Sequence, residues 1–200
     1  MMYSPPHFQV EDKEKVLEFV RQNSFATLIS CGENTVSNIS KIPLMLKDEE
    51  GQLYLEGHFA RPNPHWKYLM DNPSVTVMFD GPHDYISPSW YENPTKDVPT
   101  WNYSTVIMKG VAGITDSSEW LLQSVMELSD KFENDSSWKD SVDKDFLRGL
   151  SKGIVGIKIQ VKEIQSKFKL SQNRSELDKN NVMNELSSRN EELAELMRSI

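Results

Sequence analysis

Ile154-Val-Gly-Ile-Lys-Ile-Gln-Val-Lys-Glu-Ile164 is the run that settles the fold class. Ile157, Ile159 and Val161 alternate with Lys158, Gln160 and Lys162, so one face of the segment is apolar and the other is wet. That period of two marks a half-buried strand of an antiparallel sheet. Ser74 to Asp80 repeats the pattern, with Val75, Val77 and Phe79 on one side. Outward from these two runs, Phe25–Cys31 is a short β-branched strand and Gly32-Glu33-Asn34 turns the chain. Residues 35–47 form a second strand, in which Pro43 implies an edge or a bulge. Asp48–Gly51 is a hairpin turn and 52–57 the return strand. Trp101–Ile114 is a long strand. Helices are expected over 11–23, capped by Asp12 with Val16, Phe19 and Val20 on one face, over 116–133 with Leu121, Val125, Leu128 and Phe132 in a stripe, and over 143–150. The last segment, 175–200, reads as one charged helix with a thin stripe of Val182, Leu186, Leu193 and Leu196 that needs a surface to dock on. The N-terminal nine residues are expected to be extended. The fold class is therefore α+β, mainly antiparallel β, a small barrel with peripheral helices.

Composition bounds the function. The chain has 200 residues, 38% of them hydrophobic and 26% charged, with a net charge of −8. That is one ordinary domain, with or without a helical appendage, and it carries no global basic footprint for nucleic acid. One cysteine, Cys31, excludes an internal disulfide and fits a reducing cytoplasm. The N-terminus lacks a signal pattern, and no apolar run approaches the ~20 residues a membrane span needs, so a cytoplasmic location is expected. No phosphate-loop glycine motif or serine elbow occurs, and His7, His58, His65 and His83 do not stand at zinc-ligand spacings. No residue stands out as a catalytic acid or nucleophile.

Two stretches carry chemistry. Between Tyr85 and Tyr103 lie five of the eleven Trp and Tyr residues, stiffened by Pro88, Pro94 and Pro99. Rings with an apolar body and a polar tip suit a wall facing a flat, partly polar ligand or a partner chain; the alternative is a rigid corner plugging a barrel end. Gly57-His-Phe-Ala-Arg-Pro-Asn-Pro-His-Trp66 runs a strand end into a helix that Asn63 caps and Pro64 begins, extending to Met70. Arg61 beside that helix start is a candidate anion contact; equally, it is a residue that pairs with a surface carboxylate.

The order of short blocks carries a resemblance. Met2-Tyr-Ser-Pro-Pro-His-Phe8, Asn23-Ser-Phe-Ala-Thr-Leu28, the Gly57–Trp66 block, Phe79-Asp-Gly-Pro-His-Asp-Tyr-Ile-Ser-Pro-Ser-Trp-Tyr91, Val98-Pro-Thr-Trp-Asn-Tyr103 and Lys169-Leu-Ser-Gln-Asn-Arg174 follow one another. This series resembles the PaiB family, FMN-binding negative transcriptional regulators of bacteria linked to protease synthesis and sporulation. The resemblance implies an FMN-binding split β-barrel like that of pyridoxamine-phosphate oxidases, spanning 1–174, with 175–200 a C-terminal helix docked on the barrel or on the dimer partner. It implies a homodimer with FMN, or another small aromatic ligand, in a groove between subunits. Arg61 and Lys41 would contact the phosphate with Ser40 as hydroxyl donor, Lys41 standing where family members often carry histidine. Trp90, Tyr91 and Trp101 would line or cover the ring, and Ser171 and Gln172 would reach in from the second chain. His58, Ser87, Asn102 and Lys169 complete the cofactor set. The alternative within the same fold is a flavin- or haem-dependent oxidoreductase. Lys162, Lys167, Lys169 and Arg174 form the one local basic patch. It is either a DNA footprint doubled by a dimer or part of the cofactor groove, with repression indirect; the net charge favours the second.

Overall fold

The computed structural model describes residues 2–31, 37–133 and 142–200. Its strands are β1 (Phe25–Cys31), β2 (Ser37–Pro43), β3 (Met45–Glu49), β4 (Gln52–Ala60), β5 (Ser74–Ile86), β6 (Thr100–Thr115) and β7 (Ile154–Lys169). They form one sheet in the order β2-β1-β5-β6-β7-β4-β3. The registers that fix β1 against β2 and β5, and β4 against β3 and β7, are all antiparallel. The helices are α1 (Lys13–Gln22), α2 (His65–Asp71), α3 (Ser118–Phe132), α4 (Lys144–Ser151), α5 (Glu176–Ser187) and α6 (Glu191–Ser199).

Contacts divide the chain into two units. The first comprises Met1–Phe19, Asp80–Val106 and Gln165–Ile200; the second comprises Val20–Phe79 and Ile107–Ile164. In the second unit the alternation read from sequence sets the core: Leu28, Leu55, Phe59, Val77, Phe79, Ile157 and Ile159 are all buried. In the first, Phe19 and Phe168 pack with ring centres 4.8 Å apart. Val182, Leu186 and Leu193 bury the thin stripe of the C-terminal helices.

Four expectations change. The strand expected over 35–47 is two strands, because Pro43 has no N–H to continue the ladder and the Leu44 N–H turns to the Ser24 carbonyl at 2.8 Å. The single C-terminal helix is also two: the Arg189 and Asn190 N–H groups both close on the Leu186 carbonyl, and Asn190 Oδ1 then caps α6 by accepting from Leu193 at 3.2 Å. The N-terminal segment is not extended throughout, since Pro6–Phe8 makes a 3₁₀ turn. The strands at 74 and 154 run on to Ile86 and Lys169, past the point where their alternation becomes irregular. The turn expected at Gly32-Glu33-Asn34 lies outside the described residues.

Among the described residues no helix is long and apolar enough to cross a membrane. The cap expected at Asp12 is present, its Oδ1 accepting from Glu14 and Lys15 at 3.0 and 3.3 Å.

Candidate functional site

In the first unit, β6 carries Trp101 and Asn102 and the end of β7 carries Lys169, while Trp90 and Tyr91 stand apart at the 3₁₀ turn Pro88–Trp90. Trp101 is 52% exposed, with the rings of His83 and Tyr85 at 6.3 and 6.2 Å. The next residue of the strand points the other way, as strand geometry requires. Asn102 is buried, and its Nδ2 donates to Ser171 Oγ at 2.9 Å. Ser171 is held at φ +65°, the left-handed conformation that lets the chain turn out of β7. Gln172 closes the same turn, its Oε1 accepting from Leu170 N–H and its Nε2 donating to the Phe168 carbonyl. Its amide is thus engaged in shaping the turn.

Lys169 donates from Nζ to Thr100 Oγ1 at 2.5 Å and to the Trp101 carbonyl at 2.6 Å. Burial, and then the charges of Arg174 and Lys167, hold its ammonium below the usual lysine range. Arg174 is itself paired with Asp97, whereas among the described residues Lys169 is held by a hydroxyl and a carbonyl and by no carboxylate. Tyr91 is buried, and among the described residues its hydroxyl has no partner at good hydrogen-bond geometry, Arg174 being the group that bears on it. Burial raises the phenol above its ordinary value against the opposing pull of Arg174, whose guanidinium carbon lies 4.4 Å from the ring centre. Trp90 faces Arg189 at 6.0 Å. Ser87 is taken up locally: its Oγ accepts from Ser89 N–H and caps the 3₁₀ turn Pro88–Trp90.

The second unit holds the expected phosphate contacts, and the geometry separates them. Ser40 and Lys41 are neighbours on β2 and so face opposite sides of the sheet. Ser40 is buried; its Oγ pairs with His65 Nδ1 at 2.8 Å and accepts from Asn63 Nδ2 at 3.0 Å. The other nitrogen of His65 pairs with Ser30 Oγ at 2.9 Å. Ser40 thus belongs to a buried pin between α2 and the β1–β2 pair. Lys41 is exposed, its Nζ 3.2 Å from Thr27 Oγ1 and 5.0 Å from the Phe25 ring centre. Arg61 donates to both oxygens of Asp116, to the Lys152 carbonyl at 2.7 Å and to the Ile154 carbonyl at 2.9 Å. The carboxylate alternative for Arg61 is the one realised here. The Asn63 cap is also present, its Oδ1 accepting from His65 N–H. His58 keeps a buried Nδ1 without a partner among the described residues, and burial pulls its pKa down.

A flavin nucleotide needs a flat ring surface, polar groups at the ring edge and a cation for its phosphate. The first unit sets a ring surface beside a cation: Trp101 with His83 and Tyr85, and the ammonium of Lys169 bonded to the Trp101 carbonyl. The residues present fit such a group. Sequence reasoning missed His65, Ser30 and Asp97, because only the fold brings these partners to their neighbours.

Comparison with known proteins agrees. The sequence profile of the family described as "Putative FMN-binding domain" matches residues 2–163. The chain is 39% identical to "Protease synthase and sporulation protein PAI 2" of Bacillus subtilis, over 98% of this chain and 96% of that protein. A conserved hypothetical protein of Mycobacterium tuberculosis superposes with a TM-score of 0.60 at 14% identity, over 87% of this chain and 94% of that one. A flavocytochrome of Azotobacter vinelandii does so with a TM-score of 0.59 at 13% identity, over 86% and 74%. The fold class is the FMN-binding split β-barrel with peripheral helices. On the profile match and the near full-length relative, the chain belongs to the PaiB family of FMN-binding-domain proteins.

Proposed function

We propose that this protein binds FMN and acts in the cytoplasm, as a homodimer, as a negative regulator of genes for protease production and sporulation. The observation that carries the reading is the near full-length relative whose name joins protease synthesis to sporulation. The flavin part is supported by the family match and by the cation cluster of Lys169, Lys167 and Arg174 next to a half-exposed Trp101. In this reading Lys169 meets the anionic part of FMN and Trp101 lies along the ring. When bound, FMN supplies reversible one- and two-electron chemistry. Lys41 remains a second candidate cation. Arg61 has to leave Asp116 before it can serve.

The dimer is supported by the outer face of β1 and β2. Phe25 and Ile39 are 61% and 64% exposed there, with Lys41 on the same face. A second copy of the chain would cover those side chains.

Regulation is proposed to be indirect. Of the four basic residues, Lys167 is buried between the rings of Tyr3 and Tyr103 and donates to the Tyr3 carbonyl. Arg174 is engaged with Asp97, and in this reading Lys169 is given to the flavin. A DNA backbone needs cations that can leave solvent for phosphate, and here Lys162 is the exposed one of the four.

The test is expression of the protein in Bacillus subtilis with protease transcripts as the readout. Transcripts should fall with the intact chain and recover with Lys169→Ala; transcripts indifferent to the protein would refute the regulatory reading. The oxidoreductase reading draws on the flavocytochrome and on a protein of Mycobacterium smegmatis named as binding FAD and haem, both sharing only the fold at 13% and 12% identity. NAD(P)H turnover well above that of free FMN would replace regulation by catalysis.

A further inference from the structure

β6 and β7 are neighbours in the sheet, and the Lys169 ammonium joins the last residue of β7 to Thr100, the first of β6. The ring of Trp101 and the cation of Lys169 therefore both sit at the end of a strand pair. Strand ends are where a sheet opens most readily. A fixed spacing of ring and ammonium needs something that holds this end closed.

Asn102 and Ser171 are placed to do so. Asn102 follows Trp101 in β6, and Ser171 lies just beyond the end of β7. Both are buried, at 1% and 4% exposure. Asn102 Nδ2 donates to Ser171 Oγ at 2.9 Å, and the Ser171 hydroxyl lies 3.3 Å from Asn102 Oδ1, which can accept from it. Asn102 Nδ2 also reaches Met197 Sδ of α6 at 3.6 Å. The residue type at 171 is unexpected for its backbone. Ser171 stands at φ +65°, where glycine costs less. The turn does not need the hydroxyl either. Gln172 closes it on Leu170 and Phe168, and the Arg174 N–H closes on the Ser171 carbonyl. Ser171 is thus a strained residue whose hydroxyl, among the described residues, meets Asn102 alone. Strain of this kind persists where the side chain has a task.

We propose that Asn102 and Ser171 are positioning residues of the flavin site: they clamp the end of the β6–β7 pair so that the Lys169 ammonium stays on the Trp101 carbonyl beside the ring surface, and they act on bound FMN through these two residues and not by contact. The proposal rests on the FMN reading of this site. Asn102 fixes the backbone next to Trp101, and Ser171 fixes the chain as it leaves Lys169. An ammonium already held in place gives up little freedom when it meets a phosphate, whereas a loose one has to be ordered first.

The experiment compares the intact chain with Ser171→Gly, which keeps the turn and removes the hydroxyl. FMN affinity is read from quenching of flavin fluorescence. The titration of the Lys169 ammonium is read in the FMN-free chain by NMR of ¹³C-labelled lysine, with Lys169→Met to assign the signal. In the intact chain that ammonium is held below the ordinary lysine range, by burial first and then by Arg174 and Lys167. Ser171→Gly should weaken FMN binding about fivefold or more, by loss of a buried hydrogen bond that orders the site. It should also move the Lys169 titration up towards the ordinary lysine value, as the ammonium swings into solvent. The thermal midpoint should stay or rise, because glycine suits the backbone. Asn102→Ala should act in the same direction, and the double variant should bind no worse than the weaker single one, since the two residues make one clamp. Ser171→Gly carries the test if Asn102→Ala does not fold. FMN binding as tight in Ser171→Gly as in the intact chain would overturn the proposal. Weaker binding with an unmoved Lys169 titration would also overturn it, making Ser171 a contact residue. Absence of quenching by the intact chain is a different failure: it removes the FMN reading itself, and the proposal with it.

Discussion

Arg174 lies over Tyr91, its guanidinium carbon 4.4 Å from the ring centre, while the same guanidinium pairs with Asp97. The pair is mostly shielded, with side chains 24% and 20% exposed. Removing the arginine takes away a stacked cation and leaves Asp97 partly buried without its partner. Arg174→Ala should therefore cost about 1–3 kcal/mol, read from urea unfolding. Arg174→Lys keeps the charge but not the planar stack, and should recover only part of the loss. Full recovery by lysine would mean that the stacking contributes nothing.

His65 gives the stability a pH dependence. Burial between Ser30 and Ser40 lowers its pKa from the ordinary 6.5, and His58 is lowered by burial in the same way. A depressed folded value means that the unfolded chain takes up protons first as pH falls. The stabilisation is complete above about 6.5 and is lost progressively below it, by at most ~1.4 kcal/mol per pH unit for each group. Urea midpoints measured from pH 7.5 to 5 should fall, and His65→Gln should flatten the slope. An unchanged slope in that variant would assign the dependence elsewhere.

The period-two runs at Val75–Phe79 and Ile157–Val161 announced the antiparallel sheet because burial on one face leaves a mark on every second residue. The breaks were harder to read. Pro43 signalled an irregularity but not that Leu44 would turn to Ser24. Ser188-Arg189-Asn190 contains a good cap, yet it sits in a charged segment with no change of composition. The candidate site was legible as a list of residue types and not as a set of partners. Ser40 and Lys41 are adjacent in sequence and opposite in space; Arg61 and Asp116 are distant in sequence and bonded in space.

The burial of Lys167 bears on regulation. Charge reversal at Lys167 should act on folding, since a carboxylate there would lose the Tyr3 carbonyl contact and sit between two rings. Lys167→Glu is expected to lower the unfolding midpoint, whereas Lys162→Glu, on an exposed side chain, should leave it unchanged. A gel shift at low salt, with upstream regions of protease genes, should show no sequence-selective complex. A tight selective shift abolished by Lys162→Glu would establish direct contact with DNA.

Trp120 seats on Gly156 so closely that no side chain fits between them. Gly156→Ala should cost about 1–3 kcal/mol through displacement of the indole and of α3 with it. Thermal unfolding together with tryptophan fluorescence reads both effects, and a neutral substitution would show that the helix has slack.

The central claim is that the first unit binds FMN with Lys169 at its anionic part. The direct measurement is a titration of the apoprotein with FMN, followed by quenching of flavin fluorescence, for the intact chain and for Lys169→Met, with Arg61→Ala alongside. The account predicts saturable quenching by the intact chain at micromolar FMN or below, a weakening of about tenfold or more in Lys169→Met, and a smaller change in Arg61→Ala, whose main effect is on stability through the lost Asp116 pair. No quenching by a folded protein, or quenching that Arg61→Ala abolishes and Lys169→Met leaves intact, would contradict it.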